Sequence, residues 1–170
     1  MKFIRQDVVT EAEAGDVGTF DVAFYGQDDL DDRSRHSAEL TRSVARRSYR
    51  VRYDPNKFTL TIHDQGFKVN DLEDVFRQFR AQSLVLDATT LDFPEILYLL
   101  SAYRKQPSRP RCGFFYVEPE GYRQRHDNMS VVPGNAFDLS EGFLGNLQLP
   151  PFTRMLSNQN KAHLVAFLGF

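Results

Sequence analysis

Apolar positions recur along this chain with two periods, and the alternation between them sets the expected order of elements. Phe20-Asp21-Val22-Ala23-Phe24-Tyr25, preceded by Thr19 and stopped by Gly26, predicts the first core strand. Helical polarity follows. Asp28, Asp29, Asp31 and Asp32 precede Arg33 to Ala45, where arginines sit near the end, as a helix dipole favours. Ala38, Leu40, Val44 and Ala45 give that helix only a thin apolar stripe, which places it at the surface. Tyr49-Arg50-Val51-Arg52-Tyr53 and Phe58-Thr59-Leu60-Thr61-Ile62-His63 both alternate with period two around Asp54-Pro55-Asn56-Lys57, which predicts a β-hairpin. Asp64 to Val69 reads as a connection.

Helical spacing then returns. Leu72, Val75, Phe76 and Phe79 make one apolar face behind a cap at Asn70 or Asp71, and the face is core-directed. Ser83-Leu84-Val85-Leu86-Asp87 is a near-continuous apolar strand of the kind buried on both faces of a parallel sheet. Ala88-Thr89-Thr90-Leu91 leads to the most apolar helix, carrying Ile96, Leu97, Leu99, Leu100 and Tyr103, with Asp92 or Thr90 as its cap and Pro94 in its first turn. Arg104 and Lys105 end it. Arg111 to Val117 predicts another buried strand, followed by Glu118-Pro119-Glu120-Gly121-Tyr122. From Arg123 to Asn160 the periodicity is weak, and Ala162 to Phe170 ends the chain as an apolar strand whose Leu164–Gly169 echoes Asp21–Gly26. Ahead of the first strand, Phe3-Ile4 and Val8-Val9 suggest a short edge strand and Glu11 to Gly18 a loop.

These elements predict a three-layer, Rossmann-like α/β domain over residues 1–170. It has a mainly parallel central sheet, one inserted β-hairpin and a long irregular segment before the last strand. A buried strand at the very end suggests either that it closes the sheet or that the chain is a piece or subunit of a larger assembly.

Composition narrows the function classes. With 41% hydrophobic and 13% aromatic residues among 170, the chain holds enough apolar surface for a core. A net charge of −2 argues against general electrostatic capture of nucleic acid or an anionic membrane, while leaving room for a local basic face. Arg50 and Arg52 suit a solvated sheet face. The single cysteine, Cys112, precludes an intramolecular disulfide and a cysteine-built zinc site. No apolar window is long enough to cross a bilayer and no signal peptide is apparent, so a cytoplasmic protein is expected. Dinucleotide and P-loop glycine motifs and the nucleophile elbow are missing, and no catalytic motif is recognisable. His36, His63, His126 and His163 lie too far apart for metal-ligand spacing.

Chemistry therefore concentrates at strand ends. Parallel strands would bring Tyr25 and Gln27, then Asp87, Thr89 and Thr90, then Glu118, Glu120 and Tyr122 to one rim, where a ribose, phosphate or other small ligand could bind, and Arg123 in the loop that follows could clamp a phosphate or carboxylate. The leading expectation is a non-catalytic ligand-binding or sensor module. One alternative is a metal-dependent phosphoesterase or nuclease, with Asp28, Asp87 and Glu118 on Mg²⁺ or Mn²⁺. Another is a structural module that docks a protein through Phe137, Phe143 and Phe152, and a protein partner or a homodimer is expected.

The turn Leu84-Val85-Leu86-Asp87-Ala88-Thr89-Thr90 resembles that of the Rossmann-like, CARF-type sensor domains of prokaryotic defence systems. The resemblance covers about the first 120 residues in element order. It implies a dimer binding a cyclic oligonucleotide, with Asp87, Thr89 and Thr90 lining the pocket. The glycines that often follow the hydroxyl in that family are replaced here by Thr90-Leu91-Asp92.

Overall fold

A strand that runs past its neighbour organises this sheet. The computed structural model describes residues 18–72, 75–107, 110–118, 149, 150 and 152. The chain divides into two compact units, residues 1–117 and 118–170, and all the elements below belong to the first. They are β1 (Phe20–Tyr25), α1 (Asp32–Ser43), β2 (Ala45–Asp54), β3 (Thr59–Ile62) and β4 (Gln65–Lys68). After these come α2 (Val75–Phe79), β5 (Ser83–Asp87), α3 (Phe93–Arg104) and β6 (Arg111–Phe115). The sheet is mixed, in the order β4-β3-β2-β1-β5-β6. β2, β1, β5 and β6 are mutually parallel, and β3 and β4 return antiparallel.

β2 serves two partners in succession. Ala45 to Arg50 pair with β1, and Val51 to Asp54 pair with β3 after β1 has ended. The backbone that β1 vacates is taken up by α3, whose Glu95 Oε1 accepts from the Tyr53 N–H at 3.0 Å. Glu95 Oε2 accepts from the Asp92 N–H at 2.9 Å, so one buried side chain closes both a helix start and an exposed strand edge.

The two sheet faces are built differently. Phe24 meets Phe76 and Phe79 edge-on, with ring centroids 5.7 and 5.4 Å apart, and the predicted stripe Leu72, Val75, Phe76, Phe79 is wholly buried. On the other face α1 buries Ser34, Ser37, Ala38 and Thr41. The rest of the helix is exposed or half-buried, and its apolar stripe is as thin as expected, but hydroxyl residues complete the face that packs on the sheet. Small residues at helical spacing let the helix backbone approach the sheet closely, and polarity alone hid the face. Asp31 caps α1 in a reciprocal box with Ser34, as the acids ahead of it suggested.

Two expectations are corrected. Asp64 to Val69 is no mere connection, because Gln65–Lys68 forms β4 against β3, with Phe67 as its one buried apolar residue. β6 is not a buried strand. Arg111 and Phe114 are exposed and the rest of it is half-buried, since β5 is its only strand partner among the described residues. Residues 1–17, the irregular segment from 123 to 148 and the strand expected at 162–170 lie outside the described residues. No helix among the described residues is long and apolar enough to cross a membrane.

Candidate functional site

The β1 connection leads to β2 on one side of the sheet, while β5 lies on the other. The strand order therefore reverses between β1 and β5. In open α/β sheets the loops leaving such a pair diverge and leave a crevice for ligand. Here they are sewn together. The Gly26 N–H donates to Thr90 Oγ1 at 2.9 Å and the Gln27 N–H to the Thr90 carbonyl at 3.1 Å. Gly26 is required by this approach: a Cβ on it would stand 2.0 Å from the Thr90 carbonyl oxygen.

Asp87 lies beneath this seam, fully buried. Its Oδ1 accepts from Ser37 Oγ at 2.8 Å and from the Thr89 N–H at 3.0 Å. Its Oδ2 accepts from Thr90 Oγ1 at 2.8 Å, so Thr90 relays between Asp87 and Gly26. Thr89 Oγ1 accepts from the Val117 N–H at 2.8 Å, and the Ala88 N–H donates to the Phe115 carbonyl at the same distance. The buried carboxyl group and the Ala88-Thr89-Thr90 turn beside it thus tie α1, β1 and the exit of β6 into a single clasp.

The structure brings Tyr25, Gln27, Asp87, Thr89 and Thr90 to the same edge, as the strand-end argument predicted. What it adds is that Asp87 and Thr90 face each other instead of solvent. Tyr25 carries the Arg42 guanidinium over its ring, 4.5 Å from the centroid. Asp28 is engaged by Arg42 and by Arg50, the latter at 3.7 Å, and Asp29 also meets Arg50, at 3.5 Å. Glu118 is exposed and belongs to the second unit, while Glu120, Tyr122 and Arg123 lie outside the described residues. Among the described residues no three His, Cys, Asp or Glu side chains are grouped so as to hold a metal ion.

The chain matches no family model, no curated protein and no solved structure.

Three contributors escaped the sequence argument. Ser37 belongs to a hydroxyl face that polarity alone could not mark as buried, and Gly26 read only as a strand stop. Glu95 carried a signal: Asp92-Phe93-Pro94-Glu95 has capping-box spacing. Burial pushes the Glu95 carboxyl up to about 7, helped by the nearby Asp92, against the pull of the two N–H donors and Arg50. Cys112, half-buried in β6, has its thiol pushed up to about 11 by burial, so it stays protonated at neutral pH and is a poor nucleophile.

Proposed function

We propose that this chain is a Rossmann-like, non-catalytic interaction module that recognises its partner through its outer surface. The observation that carries this reading is the clasp. The position where such a sheet would receive a nucleotide is filled by Gly26, Thr90 and Asp87 bonding one another. A carboxyl group with three protein donors and no exposure has little left to offer a ligand. The pairing of Asp28 with Arg42 and Arg50 likewise speaks against the metal-dependent phosphoesterase.

A second reading keeps a small ligand at this edge, lying over the clasp. It is favoured by Tyr116, 57% exposed, with the Arg33 guanidinium 6.0 Å above its ring, and by the exposed Gln27. Thermal melting with millimolar mononucleotides, Mg²⁺ or Mn²⁺ separates the two, since a ligand at 100 times its Kd stabilises by about 2.7 kcal/mol. The interaction module predicts no rise in midpoint that depends on Gln27 or Tyr116. A rise that disappears in Gln27→Ala or Tyr116→Ala, with the apo melt unchanged, would replace it with the ligand-binding reading.

A further inference from the structure

The edge of the sheet opposite the clasp, where the parallel strands begin, gathers basic residues from four elements or their ends. Arg46 and Arg47 open β2, Arg77 and Arg80 lie in and just after α2, Arg104 and Lys105 end α3, and Arg111 opens β6. All seven are exposed. Bonds across the edge link the positions of Arg46, Arg47, Arg80 and Arg111. Arg47 Nη2 donates to the Phe79 carbonyl at 2.6 Å, beside Arg80. The Arg111 N–H donates to the Gln82 carbonyl at 2.9 Å, and the Gln82 N–H donates to Asp21 Oδ2 at the same distance. Asp21 Oδ1 meets Arg46 at 3.6 Å.

Asp21 is the carboxylate these bonds bring to the edge, and its Oδ2 is occupied by Gln82 and Ser83. Among the described acids, Asp28, Asp29, Asp31, Asp32, Asp64 and Asp92 lie in loops and caps away from this edge. Some of the positive charge serves the helix dipoles, because Arg80, Arg104 and Lys105 follow helix ends. Arg46, Arg47 and Arg111 begin strands, where no dipole requires them. Arg80 holds a φ of +44°, a left-handed position that glycine takes at least cost, yet here it carries a guanidinium.

A cleft of about 240 Å³ opens at this edge, lined by Phe76, Ala81, Pro107 and Pro110 together with Arg77, Arg80 and Gln106. A lining that combines apolar side chains with guanidinium groups suits a base or ribose whose phosphates meet the arginines. The surface is also arginine-rich, and the planar guanidinium fork matches phosphate oxygens in pairs.

We propose that this edge binds single-stranded nucleic acid, its phosphates tracking Arg46, Arg80, Arg104 and Arg111 and one nucleoside entering the cleft. This rests on the reading of the domain as an interaction module and names its partner class. The test is fluorescence anisotropy of the full chain with a labelled mixed-sequence single-stranded oligonucleotide, across a salt series. Arg46→Glu, Arg80→Glu and Arg111→Glu are each expected to weaken binding about tenfold. Each should also flatten the slope of log affinity against log salt by about 0.7 for every phosphate it no longer neutralises. Arg52→Glu, the same charge change at an exposed position on β2 beyond the end of β1, is the control and should leave binding within about twofold. Circular dichroism melts of each variant establish that it folds.

An equal loss of binding in Arg52→Glu, or no oligonucleotide binding at low salt, overturns the proposal. So does a duplex bound more tightly than the single strand. Salt-sensitive self-association, abolished by the same three variants while oligonucleotide is ignored, assigns the edge to the acidic side of a second copy instead. In each of these cases the interaction-module reading stands unless the melting experiment above also finds a small ligand over the clasp, so the two failures are distinguishable.

Discussion

Asp87 is the residue on which most of the hydrogen bonding at the β1–β5 edge converges. Replacing it by alanine leaves the buried Ser37 and Thr90 hydroxyls, and the half-buried Thr89 N–H, without their acceptor. Unsatisfied buried groups cost about 1–3 kcal/mol each, so Asp87→Ala is expected to lower unfolding free energy by about 3 kcal/mol or more. Ser37→Ala removes one donor and should cost about 1 kcal/mol. Gly26→Ala drives a methyl group into the Thr90 backbone, which cannot rotate away, and is expected to exceed the roughly 1–3 kcal/mol that overpacking usually costs. Urea denaturation of the three variants checks the order, and an Asp87→Ala protein as stable as the parent would show that the clasp contributes nothing to stability. The importance of Asp87, Thr89 and Thr90 was legible in the sequence because a strand end with an acid and two hydroxyls is unusual locally. Their direction was not. The partners that turn them inward, Ser37 and Gly26, stand 50 and 64 residues away from the groups they meet.

At the scale of elements, legibility followed contrast with water. β1, β5 and α2 announced themselves because their apolar residues keep a period and end up buried. α1 did not announce its face, since Ser34, Ser37, Ala38 and Thr41 recur at helical spacing without being strongly apolar. β4 was missed because Gln65-Gly66-Phe67-Lys68 offers a single apolar position, and only its pairing with β3 makes it a strand. The long β2 was half seen: its alternation from Tyr49 marked the hairpin, while Ala45 to Ser48 were hidden by their two arginines. The close approach of α1 gives the element its own test. Ala38 is completely buried, and leucine there would push the helix from the sheet. Ala38→Leu is expected to destabilise by about 1–3 kcal/mol, whereas Glu39→Leu on the exposed side should change stability by no more than about 0.5 kcal/mol. Thermal melts of the pair decide whether this hydroxyl-lined face is as tightly packed as the phenylalanine face opposite.

For the whole molecule, the acids of the fold pull stability in opposite directions as pH changes. Asp31 and Asp21 are held below the usual carboxylate range, chiefly by the N–H groups of Ser34 and Gln82. Asp54 is held low too, where partial burial is outweighed by the Asn56 and Lys57 N–H groups. A carboxylate whose folded pKa is depressed contributes stability above its unfolded value, near 3.8, and that contribution disappears as pH falls through the folded value. Glu95 acts with the reverse sign. Its pKa rises from the ordinary 4.5 to about 7, so between those values the folded chain binds more protons than the unfolded one. Unfolding free energy therefore falls as pH rises through that window, by roughly 3 kcal/mol in total. The two limbs place maximum stability at about pH 4 to 5, more acid than is usual. Glu95→Gln should remove the upper limb. It forfeits one acceptor, at a cost of about 1 kcal/mol, and is less stable than the parent at about pH 4.5. The difference should shift in the variant's favour by roughly 3 kcal/mol by about pH 8, where the parent must hold a buried charge. Urea titrations of both proteins between about pH 4 and pH 8 measure this directly. A parent protein whose stability climbs steadily to neutrality, with Glu95→Gln running parallel to it, would mean that the carboxyl bridging Tyr53 and Asp92 is ionised at no cost.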